Sequence, residues 1–196
     1  MENLIIKNIH IFLFFALQGN IALSQESSQN PILLDAESSV INRISNLISF
    51  IKLEINQENN FLLQADEATA SSLDFSSNEW VLNGNVYLEF NEINILAEKA
   101  VIKFSNNGVE EALFEGLPAI FSNVNNLENQ SISGGADNLT YNKNAGFISM
   151  NNNAFLKQGN NEFKGCSLIY DIDAEKITSG ASDCGTPVSI TIVPSE

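Results

Sequence analysis

Between Trp80 and Phe104 the chain alternates. Even positions read Trp80, Leu82, Val86, Leu88 and Phe90, broken once by Gly84, while odd positions carry Asn83, Asn85, Tyr87 and Glu89. Period two marks a strand with one buried face. Asn91-Glu92 predicts a turn, after which Ile93, Ile95 and Ala97 carry the pattern along a second strand. Parity then changes to Ala100, Ile102 and Phe104, and that slip predicts a bulge near Glu98-Lys99.

The pattern recurs. "LDAESS", "LQADEA", "LAEKA", "GGADNL" and "FKGCSL" share a small residue, at Ala36, Ala65, Ala97, Ala136 and Gly165, with spacings of 29, 32, 39 and 29 residues. Each marker is followed by a polar turn and a second apolar segment: residues 47–55, 80–90, 112–121, 147–156 and 186–194. The long spacing is accounted for by the Asn-rich "SNVNNLENQS", Ser122 to Ser131, which reads as a surface loop. A repeat of about 30 residues built of strands and turns predicts stacked units that bury their apolar faces only against one another. The expected fold is all-β: a twisted antiparallel jellyroll or solenoid-like stack of about five strand pairs, open at its edges. Residues 38–55 are two-valued, because Val40, Ile41, Ile44, Leu47, Ile48 and Ile51 also fit an amphipathic helix. The parallel between "IKLEINQENNFLLQADEA" and "VYLEFNEINILAEKA" favours strand there.

The first 24 residues differ from the rest. Lys7 precedes the apolar run Ile9–Leu17, and Ala22 and Ser24 are small residues before Gln25, the layout of a cleaved export signal. A retained membrane anchor is the alternative, although Gln18, Gly19 and Asn20 interrupt the run short of the roughly 20 residues a span requires. Residues 25–196 are expected to form one domain. Cleavage removes Glu2 and Lys7, so the net charge stays at −15. Such an acidic chain is unsuited to nucleic acid, whose phosphates need clustered Lys and Arg. Cleavage also removes His10, the only histidine.

Without histidine, Ser-His-Asp and Cys-His nucleophilic arrangements are excluded, and zinc is poorly served by two cysteines. Cys166 and Cys184, in an oxidising compartment, are expected to pair; two unpaired thiols are the alternative. No phosphate-cradling glycine motif occurs; "SGGAD" at Ser133–Asp137 reads as a turn, and "DIDAE" at Asp171–Glu175 as a solvated turn without the spacing of a calcium loop. Carboxylate pairs such as Glu110-Glu111, read as a turn, arise by chance in so acidic a chain. No catalytic residue, metal site or cofactor is expected.

Residues 61–194 resemble the LptA (OstA-like) family of periplasmic lipopolysaccharide transport proteins, in "LLQADEA", "WVLNGNVYLEFNEINILAEKAVIKF", "EEALFEGLPAIFSN", "ADNLTYNKNAGFISMNNNAFLKQGNNEFKGCSLIYDIDAEKITSG" and "VSITIVPSE". The resemblance implies a non-enzymatic periplasmic carrier that moves lipopolysaccharide from the inner to the outer membrane, its lipid A acyl chains held in an apolar groove. It implies inner-membrane LptC-like and outer-membrane LptD-like partners joined by edge-strand addition, and head-to-tail assembly of copies. Carried onto the alternating faces here, the groove residues are Trp80, Leu82, Val86, Leu88, Phe90, Ile93, Ile95, Ile102, Phe104, Phe114, Ile120, Ile148, Met150, Leu156, Phe163, Leu168, Tyr170 and Ile172. Most of these are also expected to pack as core. The partner edges are Ile32, Leu33 and Leu34 at one end and Val188, Ile190 and Ile192 at the other.

The region Gln25–Asn60 departs from the family pattern as an additional repeat unit, and lysines are few. Two other readings remain open at this stage: a membrane-anchored LptC-like partner, and a β-solenoid surface or polysaccharide-active protein presenting outward carboxylates or aromatics.

Overall fold

The computed structural model describes residues 30–123, 131–179 and 187–193. The expected signal at residues 1–24, Cys184 and most of the Asn-rich insert lie outside the described residues. Among those described there are twelve strands, all antiparallel neighbours in one sheet, and no helix. They are β1 (Ile32–Asp35), β2 (Ser38–Asn42), β3 (Leu47–Gln57), β4 (Phe61–Ala70), β5 (Ser77–Phe90), β6 (Ile93–Ser105), β7 (Gly108–Asn123), β8 (Ile132–Asn142), β9 (Phe147–Gln158), β10 (Asn161–Asp171), β11 (Lys176–Ser179) and β12 (Ser189–Thr191). Strands β3 to β10 form a meander in sequence order. Both edges are split: β1 and β2 pair with different halves of β3, and β11 and β12 with different halves of β10.

Turn chemistry fixes the meander. Asn91-Glu92 and Asn106-Asn107 both adopt positive φ at two successive residues, the conformation that two-residue hairpins need to match strand twist. Asn and Asp tolerate it best among residues with a side chain.

Each long strand is also interrupted near its middle. Pairing registers shift between Gln64 and Glu67 in β4, Asn83 and Val86 in β5, Leu96 and Lys99 in β6, Glu115 and Ala119 in β7, Gly135 and Asn138 in β8, and Gly165 and Ser167 in β10. The expected bulge at Glu98 is one member of this row. Bulges bend strands, and a row of them folds one sheet into two facing walls. The repeat markers sit on this fold line: Ala65, Ala97, Ala136 and Gly165 lie in β4, β6, β8 and β10, and Ala36 lies between β1 and β2. A small side chain is needed on the inside of a sharp bend, and Ala65 and Ala136 are buried there. Intervening strands turn the corner with positive φ at Lys52, Gly84, Asn85, Asn152 and Asn153.

Residues 38–55 are β2 and β3, the strand reading that the repeat favoured; their apolar residues mimic helical spacing because β2, at an edge, is exposed on both faces. Two readings are corrected. "SGGAD" lies within β8 and Glu110-Glu111 within β7, not in turns. "DIDAE" is a turn closing β10, capped by the Asp171 carboxylate accepting from the Ala174 amide at 2.9 Å.

Candidate functional site

Residues paired directly across neighbouring strands share a face, so the registers trace what lines the interior. On the first wall one row runs Ile41, Ile48, Ala70, Trp80, Ile102, Ala112, Tyr141, Ile148, Tyr170, Ile177. The facing wall carries Leu34, Ile55, Leu63, Leu88, Ile95, Phe121, Gly134, Leu156, Phe163, Ile190. Both rows are apolar from one sheet edge to the other. Gln57 is the one buried polar or charged residue among those described, so the inner space has the character of a continuous hydrocarbon layer.

The middle of these rows is closed. Trp80, Leu82, Val86, Leu88, Ile95, Ile102, Phe104, Phe114, Ile148, Met150, Leu156 and Leu168 have no measurable exposure, and Phe90, Ile93 and Tyr170 are 5% exposed or less. Phe163 and Ile172 are partly buried and pack against this core. Ile120 is a correction: it faces out, 39% exposed, and Phe121 faces in with none. Three residues of β7, Gly116 to Pro118, lie between the partners of Asn138 and Ala136, which face each other across one residue of β8. Through the bend the inward positions of β7 change from even (Ala112, Phe114) to odd (Ala119, Phe121), the same slip that β6 makes between Ile95 and Ala100, so the parity extrapolated from "ALFEGLPAIF" fails beyond it.

Opposite the fold line the walls meet at a mouth, and aromatic pairs cross it. Phe61 meets Phe104 with ring centroids 5.4 Å apart, Phe90 meets Tyr141 at 4.5 Å, and Phe121 meets Tyr170 at 6.1 Å. In each pair one ring comes from either wall. Burial holds the Tyr141 hydroxyl above its ordinary pKa, with Asp173 adding to the effect. Tyr170 is raised for the same reason, aided by Glu175 and Asp171 and opposed by a hydrogen bond from Asn123. Both hydroxyls are therefore protonated at neutral pH. Sequence reading omitted Phe61, Phe121 and Tyr141; Phe121 has the opposite parity to Phe114, from which Ile120 was extrapolated.

The two ends are less complete. At one edge Ile41 is 63% exposed although it belongs to the inner row, and at the other Ile190 is 55% exposed. The segments expected to be edges hold that position: Ile32–Leu34 in β1, and Ile190 in β12, flanked by Val188 and Ile192. Beside β1 a cavity of about 510 Å³ opens between Pro31, Ile32 and Leu34 on one side and Leu73 and Phe75 on the other, with Gln57 at its margin. Gln57 donates to the Asn30 carbonyl at 2.9 Å and accepts from Asn60, which fixes that margin.

Lysines sit outside the walls, several beside acids. Lys52 contacts Asp66 at 2.6 Å, Lys164 contacts Glu162 at 2.8 Å and Lys103 contacts Glu110 at 3.5 Å. No group of carboxylates, thiols or imidazoles with metal-ligand geometry occurs among the described residues. Cys166, on β10, is disulfide-bonded; its expected partner, Cys184, lies outside the described residues.

Comparison with known proteins agrees with this architecture. The lipopolysaccharide export system protein LptA of Escherichia coli K12 is 27% identical over 132 residues, which is 66% of this chain and 70% of that protein. The LptA of Shigella flexneri matches to the same extent. The crystal structure of LptH, the LptA homologous periplasmic component of the conserved lipopolysaccharide transport device from Pseudomonas aeruginosa, superposes with a TM-score of 0.54. That superposition covers 84% of this chain and 96% of LptH at 16% identity, which establishes a shared fold. The model of the LptA/(LptD N-terminal domain) LPS transport protein family matches residues 63–176, from β4 into β11 and across seven of the bends. With more than half of the sequence covered, the chain belongs to that family.

Proposed function

We propose that this protein is a periplasmic, non-enzymatic carrier that moves lipopolysaccharide from the inner to the outer membrane, its acyl chains lying between the two walls. The observation that carries this reading is the pair of apolar rows running unbroken between the sheet edges. A core that serves stability alone is capped; this one ends in exposed inner-row residues, Ile41 and Ile190. The binding residues are the inward set from Trp80 to Ile172, with Phe121 in place of Ile120.

The interior is filled by its own side chains, so lipid enters only if the walls separate. A hydrocarbon chain in van der Waals contact on both sides needs about 4 Å of its own. Separation begins at the mouth, where aromatic contacts and side-chain hydrogen bonds such as Asn60 to the Asn107 carbonyl at 3.0 Å join the walls; the opposite side is held by continuous backbone through the bends. Head groups remain outside. With few lysines, several of them beside acids, binding comes mainly from the acyl chains.

The split edges are docking strands. β1 with β2, and β11 with β12, each offer one short strand per wall, so a partner has to match both halves at once. Strand addition there continues both inner rows into the next protein. A second copy, an LptC-like inner-membrane protein and an LptD-like outer-membrane protein all fit this mode. The chain is exported through a cleaved signal at residues 1–24, leaving residues 25–196 as one domain.

The test is a distance across the mouth. Spin labels carried by noncanonical residues at Glu89 and Lys143, on opposite walls, are measured with and without lipopolysaccharide. Their separation should increase by about 4 Å on binding. Bound lipopolysaccharide with an unchanged distance refutes insertion between the walls.

A further inference from the structure

Trp80 is fully buried, yet its indole Nε1 has no hydrogen-bond partner among the described residues. Buried donors are almost always satisfied, because an unmade hydrogen bond costs the full desolvation of the group. The surroundings explain why none is made. Phe50 and Phe75 both stack near-parallel to the indole, with centroids 5.6 and 5.3 Å away and interplanar angles of 16° and 18°. An indole N–H lies in the ring plane, so near-parallel neighbours cannot receive it on their π faces. The cross-strand neighbours of Trp80 are Ala70 and Ile102, whose side chains have no acceptor.

Water is a poor occupant. A buried water requires two to four polar partners, and these rings and methyl groups supply none beyond the indole itself. What fits is an acceptor oxygen arriving on an otherwise apolar molecule. Access is close by: Phe75, which covers one face of Trp80, also lines the cavity of about 510 Å³ beside β1. Pro31, Ile32, Leu34 and Leu73 join Phe75 on the cavity's apolar side, a surface suited to a hydrocarbon chain, while Asn30, Gln57, Asp74 and Asn107 form a polar side.

We propose that Trp80 is a polar anchor in the slot, its indole N–H donating to an oxygen carried on a bound acyl chain that approaches past Phe75. The proposal rests on the carrier reading and adds to it a fixed point along the chain. A slot of methyl groups alone sets no register for its ligand, whereas one donor in an apolar run favours chains bearing a carbonyl or hydroxyl at the matching depth. Such a donor also helps only the loaded state, since the empty protein leaves it unsatisfied.

The chain has a single tryptophan, so the full-length ¹⁵N-labelled protein gives one indole N–H resonance. Purified lipid A is the probe, with the methyl resonances of Leu88 and Ile95 followed in the same titration. The expected result is a downfield shift of the indole proton, together with about three- to tenfold weaker lipid A binding by Trp80→Phe. Phenylalanine keeps an aromatic ring against Phe50 and Phe75 and removes the donor together with the five-membered ring that carries it; if that variant does not fold, the wild-type indole resonance decides alone. Methyl shifts at Leu88 and Ile95 with an unmoved indole overturn the anchor and leave the carrier intact. Lipid A that moves neither set overturns both.

Discussion

Phe121→Ala and Ile120→Ala are neighbouring truncations that should have very different costs. Phe121 has no exposure, stacks near-parallel on Tyr170 at 17°, and is paired with Gly134, where an added Cβ would stand 2.7 Å from its ring. Glycine at 134 is thus the vacancy that Phe121 fills. Removing a buried phenylalanine ring costs about 3–5 kcal/mol in lost transfer energy and residual cavity. Ile120, 39% exposed on the outer face, should cost about 1 kcal/mol or less. In urea the unfolding midpoint should fall by more than about 1 M for Phe121→Ala and by less than about 0.5 M for Ile120→Ala. Equal costs, or the reverse order, would show that β7 does not change course at Gly116–Pro118, and the inner row on that wall would have to be retraced.

Gly84→Ala should destabilise by about 1–3 kcal/mol, because Gly84 has φ +75° and the new Cβ would lie 2.7 Å from the Asp66 carboxylate, itself held by Lys52 and Asn85; a chemical melt reads this directly. Tyr141 and Tyr170 have hydroxyl pKa values raised above 10.0 in the fold, so the unfolded chain loses these protons first. Their stabilising contribution is complete below pH 10 and is lost as pH rises through the folded values. Thermal midpoints above pH 10 should therefore fall more steeply in the wild type than in Tyr141→Phe/Tyr170→Phe. Replacing Lys99, Lys103, Lys143, Lys157 and Lys164 together by Gln should weaken lipopolysaccharide binding by less than tenfold; a larger loss at low salt would assign the affinity to phosphate contacts instead.

Alternation from Trp80 to Phe104 was sufficient to orient β5 and β6 correctly, including the bulge beside Glu98, because both strands obey period two on each side of it. The recurring small residues were legible as a repeat but not as a fold line. Their meaning depends on register shifts in neighbouring strands, which no single segment records. β7 defeated extrapolation at Ile120 because its inward positions change from even to odd between Phe114 and Ala119, a slip that no buried apolar side chain in "EGLP" marks. The aromatic pairs at the mouth were out of reach for another reason: Phe90 and Tyr141 are some fifty positions apart and meet only after the sheet folds over. Helical spacing in residues 38–55 arose from an edge strand apolar on both faces, a pattern that periodicity alone does not separate from an amphipathic helix.

The central claim is that acyl chains lie between the walls, and photocrosslinking in cells tests it most directly. A photoreactive residue replaces Phe90, 5% exposed on the inner face, or its neighbour Glu89, exposed on the outer face. The account predicts a lipopolysaccharide adduct at position 90 and none at 89. An adduct at 89 alone, or at neither position in folded, exported protein, would contradict it.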